Sequence, residues 1–497
     1  MTSKIAARTR ELSIKLTSWP SVTGTADEAK FPQRLVKELG VFDEVWLSAV
    51  PGGIQARQNL FALKRGTSRS TVVLTGHFDV VPADDYGVLP AFDVDALLLA
   101  IMAKLKATGE SSRALADFAS GDFLPGRGLL DMKAGLAAGI AAAEAYEGDA
   151  TLLFLAVADE ENRSAGARAA IPALLAATSQ RGLEIKLVIN LDAISDQQDG
   201  AKAKVITFGS IGKQLVTAYV VGKETHAGYP QDGVNAALIA AELILALEAN
   251  PAFVEAIGEE KTAAPATLCA KDLKDGYNVT TPGAFWAYWN TMQYGRSGAD
   301  VLALVHRVAK EAIARVEHRT SHSVRLLTFA ELAALTPGWS EDAAVRQIQQ
   351  DETLDLPESA KRLTEHVWRK SGQVGPAVIL GFGSIPYPAV ALRDQQLRKR
   401  IESAARPFGI GALHYFAGIS DMSFFGEATG DLAAVAANTP NWDLSFIMPA
   451  AAGLPTINMG PWGRDYHHWL ERLHAPYAFE TLPRALLAVI EAVAKER

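Results

Sequence analysis

The chain opens with apolar positions at helical spacing, Ile5, Leu12 and Leu16, which predict a surface helix over 3–19. A second helix is expected over Phe31 to Leu39, stopped by Gly40. The pattern then shifts to short apolar runs: Val45 to Leu47, Asn59 to Leu63, Thr71 to Leu74, Thr151 to Val157 and Lys186 to Leu191. The longer of these lack the alternation of a half-exposed strand, so they predict strands covered on both faces. An alanine-rich helical segment up to about Tyr146 and another from Ala165 to Ala177 lie between them. Strands alternating with helices predict an α/β domain around a mainly parallel sheet. A mixed insertion at 88–125, with a helical centre from Val94 to Lys106, interrupts this order.

After Phe208 the texture changes. A partly alternating strand, Gln214 to Val221, is followed by a loop carrying His226 and a helix from Asn235 to Leu247. Two strands are expected near Asn278 and over Phe285 to Asn290, then a helix from Ala299 to His318 and a strand from Ser323 to Phe329. That order predicts a smaller α+β domain, 209–334, inserted into the first. From 335 the chain is expected to return, with strand candidates at Ala377 to Leu380, Ala389 and Val390, Gly411 to Phe416 and Thr456 to Met459. Residues 1–208 and 335–497 would then form one discontinuous domain.

Composition narrows the class. A chain of 497 residues exceeds one ordinary core, so two domains are the default. It is 49% hydrophobic and 21% charged, which is globular. The formal net charge of -8, with no basic block, argues against a nucleic-acid partner. The single cysteine, Cys269, excludes an internal disulfide framework and fits a reducing cytoplasm. The N-terminal segment lacks the apolar core of a secretory signal, and no run of about 18 apolar residues predicts a membrane span.

In parallel sheets, sites gather at the carboxyl ends of strands. His77 and Asp79 follow the Thr71 to Leu74 run, two residues apart, so their side chains leave on the same side as a metal ligand and its orienting partner would. Taken singly, each candidate has an ordinary role: Asp131 as a helix cap, Glu160 and Glu161 as a solvated turn, Asp192 as a loop cap, His226 as a surface residue. Together they point elsewhere. Glu160 and Glu161 close a long apolar run and raise one another's pKa, a cost that cation coordination would relieve. With one Glu on a metal, its neighbour is placed to act as a general base on water. His77, Asp131, Glu161 and Asp192 make an N/O donor set without thiolates, which suits zinc, cobalt or manganese at a catalytic site. Two metals sharing a bridging carboxylate would lie roughly 3.5–4 Å apart.

Five segments in order, Gly76 to Pro82, Gly126 to Gly135, Asp159 to Glu161, Thr225 to Gly228 and Tyr466 to Glu471, give the sequence a resemblance to the aminoacylase / glutamate carboxypeptidase / succinyl-diaminopimelate desuccinylase family of di-zinc hydrolases. The resemblance implies a zinc domain interrupted by a lid domain that often also makes a homodimer. It implies that His77 binds one metal, that Asp79 orients its imidazole, and that Asp131 bridges both metals. Glu160 is implied as the general base, Glu161 as a ligand of the second metal, and Asp192 as completing the first metal's shell. His467 and His468 are adjacent; the family places a Glu four residues after its histidine, and Glu471 stands four after His467. His226 is implied as the oxyanion stabiliser, and Asn278 as a lid residue that holds substrate. The family's Asp-x-Arg strand has no arginine here in Phe285 to Asn290, which leaves Arg296 and Arg464 as substitutes. The length and the Asn458 to His467 segment look similar to a RocB-type branch linked to arginine utilisation.

The expectation is therefore a cytoplasmic hydrolase of an amide bond, in a small peptide or an N-acyl amino acid. It would use two divalent ions, zinc foremost with cobalt or manganese as alternatives, and a water bridging them. The alternative is a non-catalytic or regulatory protein that binds metal or a small molecule on the same fold. Glu160 and His226 weigh against it, since a pure binding site needs no general base. No glycine loop of the phosphate-binding kind supports a nucleotide or redox enzyme.

Overall fold

The computed structural model describes residues 2–52, 55–351, 353–428, 430, 432–442 and 452–495. They divide into two compact units, Met1–Ser210 with Ala391–Glu427 and Ala451–Arg497, and Ile211–Val390 with Ala428–Ala450.

The first unit is built on an eight-stranded sheet. Its strand order is Glu44–Ala49, Gln58–Lys64, Thr151–Val157, Ser70–His77, Glu184–Asn190, Thr456–Asn458, Val205–Thr207 and Gly411–Leu413. Ser70–His77 lies at the centre and runs parallel to both neighbours, as the uninterrupted apolar runs predict. Glu44–Ala49 and Gln58–Lys64 add an antiparallel edge. Thr151–Val157 is buried along its whole length. The helix Ala134–Ala145 packs against these strands, and its residues from Ala134 to Ala143 are all buried. Its small residues permit close approach. A Cβ built on Gly135 would stand 2.1 Å from the Leu191 carbonyl oxygen.

The second unit is organised around a five-stranded sheet, in the order Ala266–Asp272, Ala284–Gln293, Gly212–Val221, Ala377–Phe382, Arg325–Thr328. Alternate residues of its strands enter two separate cores. Val216, Ala218, Val220, Ala287 and Trp289 pack with the helices Ala236–Leu247 and Gly298–Thr320. Tyr219, Trp286 and Ile379 pack with Leu332, Val367 and Trp368 from Phe329–Ala334 and Leu356–Lys370.

Two expectations are corrected here. The chain stays in this unit until Val390, well past the return expected at 335, because Ala377–Phe382 is a central strand of its sheet and Leu356–Lys370 covers that sheet's second face. The strand placed near Asn278 is Ala266–Asp272 instead, and Asn278 lies in the loop that follows. That edge strand exposes Leu268 and gives little apolar signal. Among the described residues, no helix is long and apolar enough to cross a membrane.

Gly135→Ala is expected to destabilise the first unit by about 1–3 kcal/mol, since the Leu191 backbone cannot yield without moving the strand end. Urea unfolding of the variant against the wild type measures it.

Candidate metal centre

Strand register gathers the site. His77 pairs with Val157, and Thr75 pairs with Asn190, so three parallel strands end side by side. Their carboxyl ends deliver His77, the Asp159–Glu161 turn and Asp192 to one place. Asp131 arrives from a loop. A Cβ at Gly76 would sit 2.1 Å from the Met132 methyl carbon, so only glycine there admits Met132, whose sulfur accepts a hydrogen bond from the His77 backbone N–H at 3.3 Å.

Asp131 stands between two histidines. Its Oδ1 is 3.2 Å from His77 Nε2, and its Oδ2 is 3.2 Å from His467 Nε2. His77 Nε2 also lies 3.8 Å from Asp192 Oδ1 and 4.0 Å from Glu160 Oε2. His467 Nε2 lies 3.2 Å from Glu161 Oε2. His77, Asp131 and Asp192 thus form one group with donor atoms within 4.8 Å of each other; Asp131, Glu161 and His467 form a second, and His77, Glu160 and Glu161 a third.

Of the adjacent histidines, His467 is the one whose Nε2 faces Asp131 and Glu161. His468 Nδ1 accepts the Leu470 N–H at 3.2 Å and closes a local turn. Glu471 is buried, and its carboxylate accepts from Arg127 Nη1 at 2.7 Å and from the Gly128 N–H at 3.0 Å. It therefore ties the His467 segment to the loop that carries Asp131.

Asp79 differs from the expected arrangement. His77 Nδ1 bonds to the main-chain carbonyl of Asp79 at 3.0 Å, while the Asp79 carboxylate is 3.8 Å away. A carbonyl only accepts, so Nδ1 is the donor and Nε2 is the atom left to face the carboxylates. The Asp79 carboxylate instead accepts the N–H groups of Glu160 and Glu161, at 3.1 and 3.2 Å, and the Thr23 hydroxyl at 2.7 Å. A strand-end Asp facing the next strand's loop finds unpaired amide groups nearer than the imidazole.

The Asp159–Glu161 turn is held from several directions. Asp159 has a left-handed backbone, φ +66°. Its N–H donates to Glu28 Oε1 at 3.1 Å, its Oδ2 accepts from Ala165 N at 3.1 Å, and its other oxygen forms a buried ion pair with Arg57. Glu28 is pushed up to about 8, first by burial and then by the charge of Asp79.

Electrostatics follow from burial. Glu160 is raised well above the ordinary carboxylate value by burial, against the pull of His77, with Asp421, Glu161 and Asp192 adding to the rise. Glu161 is raised by burial, opposed by its bond to His467. Burial also acts on Asp131, but hydrogen bonds from His467 and His77 outweigh it and hold that carboxylate well below its usual range. Burial opposes charge on His467, yet its bonds to Asp131 and Glu161 push it up to about 10. Carboxylates crowded together and raised by burial are what a cation would satisfy. The donors are imidazole nitrogens and carboxylate oxygens, which fit zinc, cobalt or manganese.

Of the remaining expected residues, Arg464 is corrected. Its Nη1 donates to Asp117 at 2.6 Å and its Nη2 to the Gln198 carbonyl, so both terminal nitrogens are taken inside the unit and no fork is left for a substrate carboxylate. His226, Asn278 and Arg296 belong to the second unit. There the His226 and Asn278 loops join, with the Ala227 N–H donating to the Val279 carbonyl at 2.9 Å. Asn278 Oδ1 accepts from the Thr280 hydroxyl at 2.6 Å, and Arg296 Nη1 donates to the Phe253 carbonyl at 2.9 Å. Asp421 was not foreseen. It is buried, and burial raises it to about 7 against the pull of His77. A lone Asp before Met-Ser-Phe-Phe carries no signal in the sequence.

Lys133, two residues past Asp131, is wholly buried and donates to the Trp19 carbonyl at 2.8 Å. Burial lowers it to about 7. Because the folded protein binds this proton less tightly than the unfolded chain does, the penalty is full below pH 7 and fades as pH rises toward the unfolded value. The stability of the wild type relative to Lys133→Met is expected to rise from about pH 7 to about 10.5; denaturant unfolding at a series of pH values measures it, and a flat difference contradicts it.

The model of peptidase family M20/M25/M40 matches residues 73–441. A protein of Bacillus subtilis (strain 168) called uncharacterized protein YqjN is 32% identical, over 98% of this chain and 96% of its own length. Protein RocB of the same organism is 28% identical, over 96% of this chain and 93% of its own. The crystal structure of aminopeptidase PepT from Bacillus cereus superposes with a TM-score of 0.57 at 18% identity, covering 99% of each chain.

Proposed function

The chain belongs to peptidase family M20/M25/M40, and on that premise we propose that it hydrolyses an amide bond, in a small peptide or an N-acyl amino acid, with Glu160 as general base. One observation carries the proposal: Asp131 presents one oxygen toward His77 and the other toward His467, each at 3.2 Å, as a carboxylate shared by two cation sites must. His77, Asp131 and Asp192 would hold one divalent ion, and Asp131, Glu161 and His467 the other. Zinc ions there would lower the pKa of water and polarise the scissile carbonyl.

Glu160 takes a proton from the attacking water and passes it to the leaving nitrogen. Its burial and the surrounding carboxylates lift its pKa, which suits a group that must both accept and return that proton. Asp79 fixes the backbone of both glutamates, so base and ligand keep their spacing. His226 serves as the oxyanion stabiliser and Asn278 as a substrate contact, both from the second unit acting as a lid. Arg296 is the remaining candidate for a substrate carboxylate. A homodimer formed through the second unit, and residence in the cytoplasm, complete the proposal.

Glu160→Gln is expected to keep both ions and to lose turnover by roughly 10²–10⁴-fold, measured with a panel of N-acyl amino acids and dipeptides alongside metal analysis. Stoichiometric metal without turnover of any panel member in the wild type would instead favour a binding protein. His467→Ala is expected to cost about one equivalent of bound metal, whereas His468→Ala retains both; the reverse result in metal analysis would move the ligand.

A further inference from the structure

The strands Trp462–Arg464 and Arg472–His474 pair antiparallel, and their register sets Arg464 directly opposite Arg472. Both are buried, at 8% and 1% exposure. Like charges opposite each other repel, and buried guanidinium groups require a counter-charge. Asp117 supplies it. One of its oxygens accepts from Arg464 Nη1 at 2.6 Å, and the other accepts from Arg472 Nε at 2.7 Å. Asp117 comes from the helix Ser112–Ser120, inside the 88–125 insertion, and that helix is seated by buried Ala114 and Phe118.

The same network continues to the metal centre. Arg472 Nη1 donates to the Leu470 carbonyl at 3.0 Å and forms an ion pair with Asp465. Gln197 Nε2 donates to the other Asp465 oxygen at 2.8 Å. Asp465 and His467 both adopt left-handed backbone, φ +54° and +64°. Non-glycine residues keep that conformation only where their surroundings over-determine it. On the reading of His467 as a metal ligand, we propose that Asp117 is a positioning residue for it: by neutralising the opposed arginines, it leaves Arg472 free to anchor Asp465 and so to aim His467 at Asp131 and Glu161. The insertion thereby acquires a task at the centre although it contributes no ligand. Without the Asp117 charge, both guanidinium groups compete for Asp465, and the 465–467 segment relaxes.

Metal-depleted wild type and Asp117→Asn, titrated with Zn²⁺ by calorimetry and checked by metal analysis, test this. The wild type is expected to take up two ions. Asp117→Asn is expected to take the first with unchanged affinity and the second about 10–100-fold more weakly, the usual effect of losing a group that orients a ligand. Binding of both ions at wild-type affinity overturns the proposal, as does an equal loss of both with circular dichroism unchanged. Should Asp117→Asn not fold, Asp465→Asn cuts the same chain one link nearer His467 on a more exposed side chain, and its titration is judged by the same outcomes. If the wild type itself holds fewer than two ions, the two-metal reading fails and takes this proposal with it. Two ions in the wild type with an unchanged variant sink this proposal alone.

Discussion

Like charges crowded into a place that water barely reaches set the terms for the rest of the first unit. Asp131, Glu160, Glu161 and Asp192 converge on His77, with side chains only 7 to 12% exposed. Such a cluster expels itself unless positive groups or donors answer it. The chain answers the cluster itself with two imidazoles, and it holds the turn beside it by the Asp159 N–H on Glu28, the Glu160 and Glu161 N–H groups on Asp79, and the Arg57–Asp159 pair. These contacts fix the backbone that carries Glu160 and Glu161 while leaving their carboxylates for something of higher charge. The result is a site whose frame is satisfied by protein and whose centre calls for cations.

The second unit solves a different problem. The centre of its sheet is covered on both faces, so the strands Gly212–Val221 and Ala377–Phe382 show mostly buried positions where a half-exposed strand would alternate. Covering the second face takes the helices between 329 and 370, which is why so long a stretch after Thr328 belongs to this unit and not to the first. The exposed His226 and Asn278 loops are carried by this doubly braced platform, and they are tied to each other by a main-chain hydrogen bond.

Much of the site was legible because its residues stand at the ends of strongly apolar runs. His77, Glu160, Glu161 and Asp192 each follow such a run, and strand register does the rest. Asp131 entered the donor set as a loop aspartate at a helix entrance, and His467 could be found only by resemblance, since one of two adjacent histidines has no periodicity to mark it. What stayed hidden depends on partners remote in sequence. The main-chain bond of His77, the anchoring of Arg464 by Asp117, and buried Asp421 are all decided by what folding brings alongside. The domain return failed for the same reason: Ala377 to Leu380 reads as a strand in the sequence, but nothing local says which sheet it will join.

The span between His77 and His467 also orders events during synthesis. His77, Asp131, Glu160, Glu161 and Asp192 leave the ribosome while His467 and its brace Glu471 have yet to be made. A nascent chain at that stage holds the carboxylate-rich half of the centre without the imidazole that closes it or the Glu471 link to the Asp131 loop. The central strand can pair with Thr151–Val157 and Glu184–Asn190, but Thr456–Asn458, the next strand in the sheet, is still absent. Completion of the Asp131, Glu161 and His467 group therefore waits until residue 467 has been made and Thr456–Asn458 can dock.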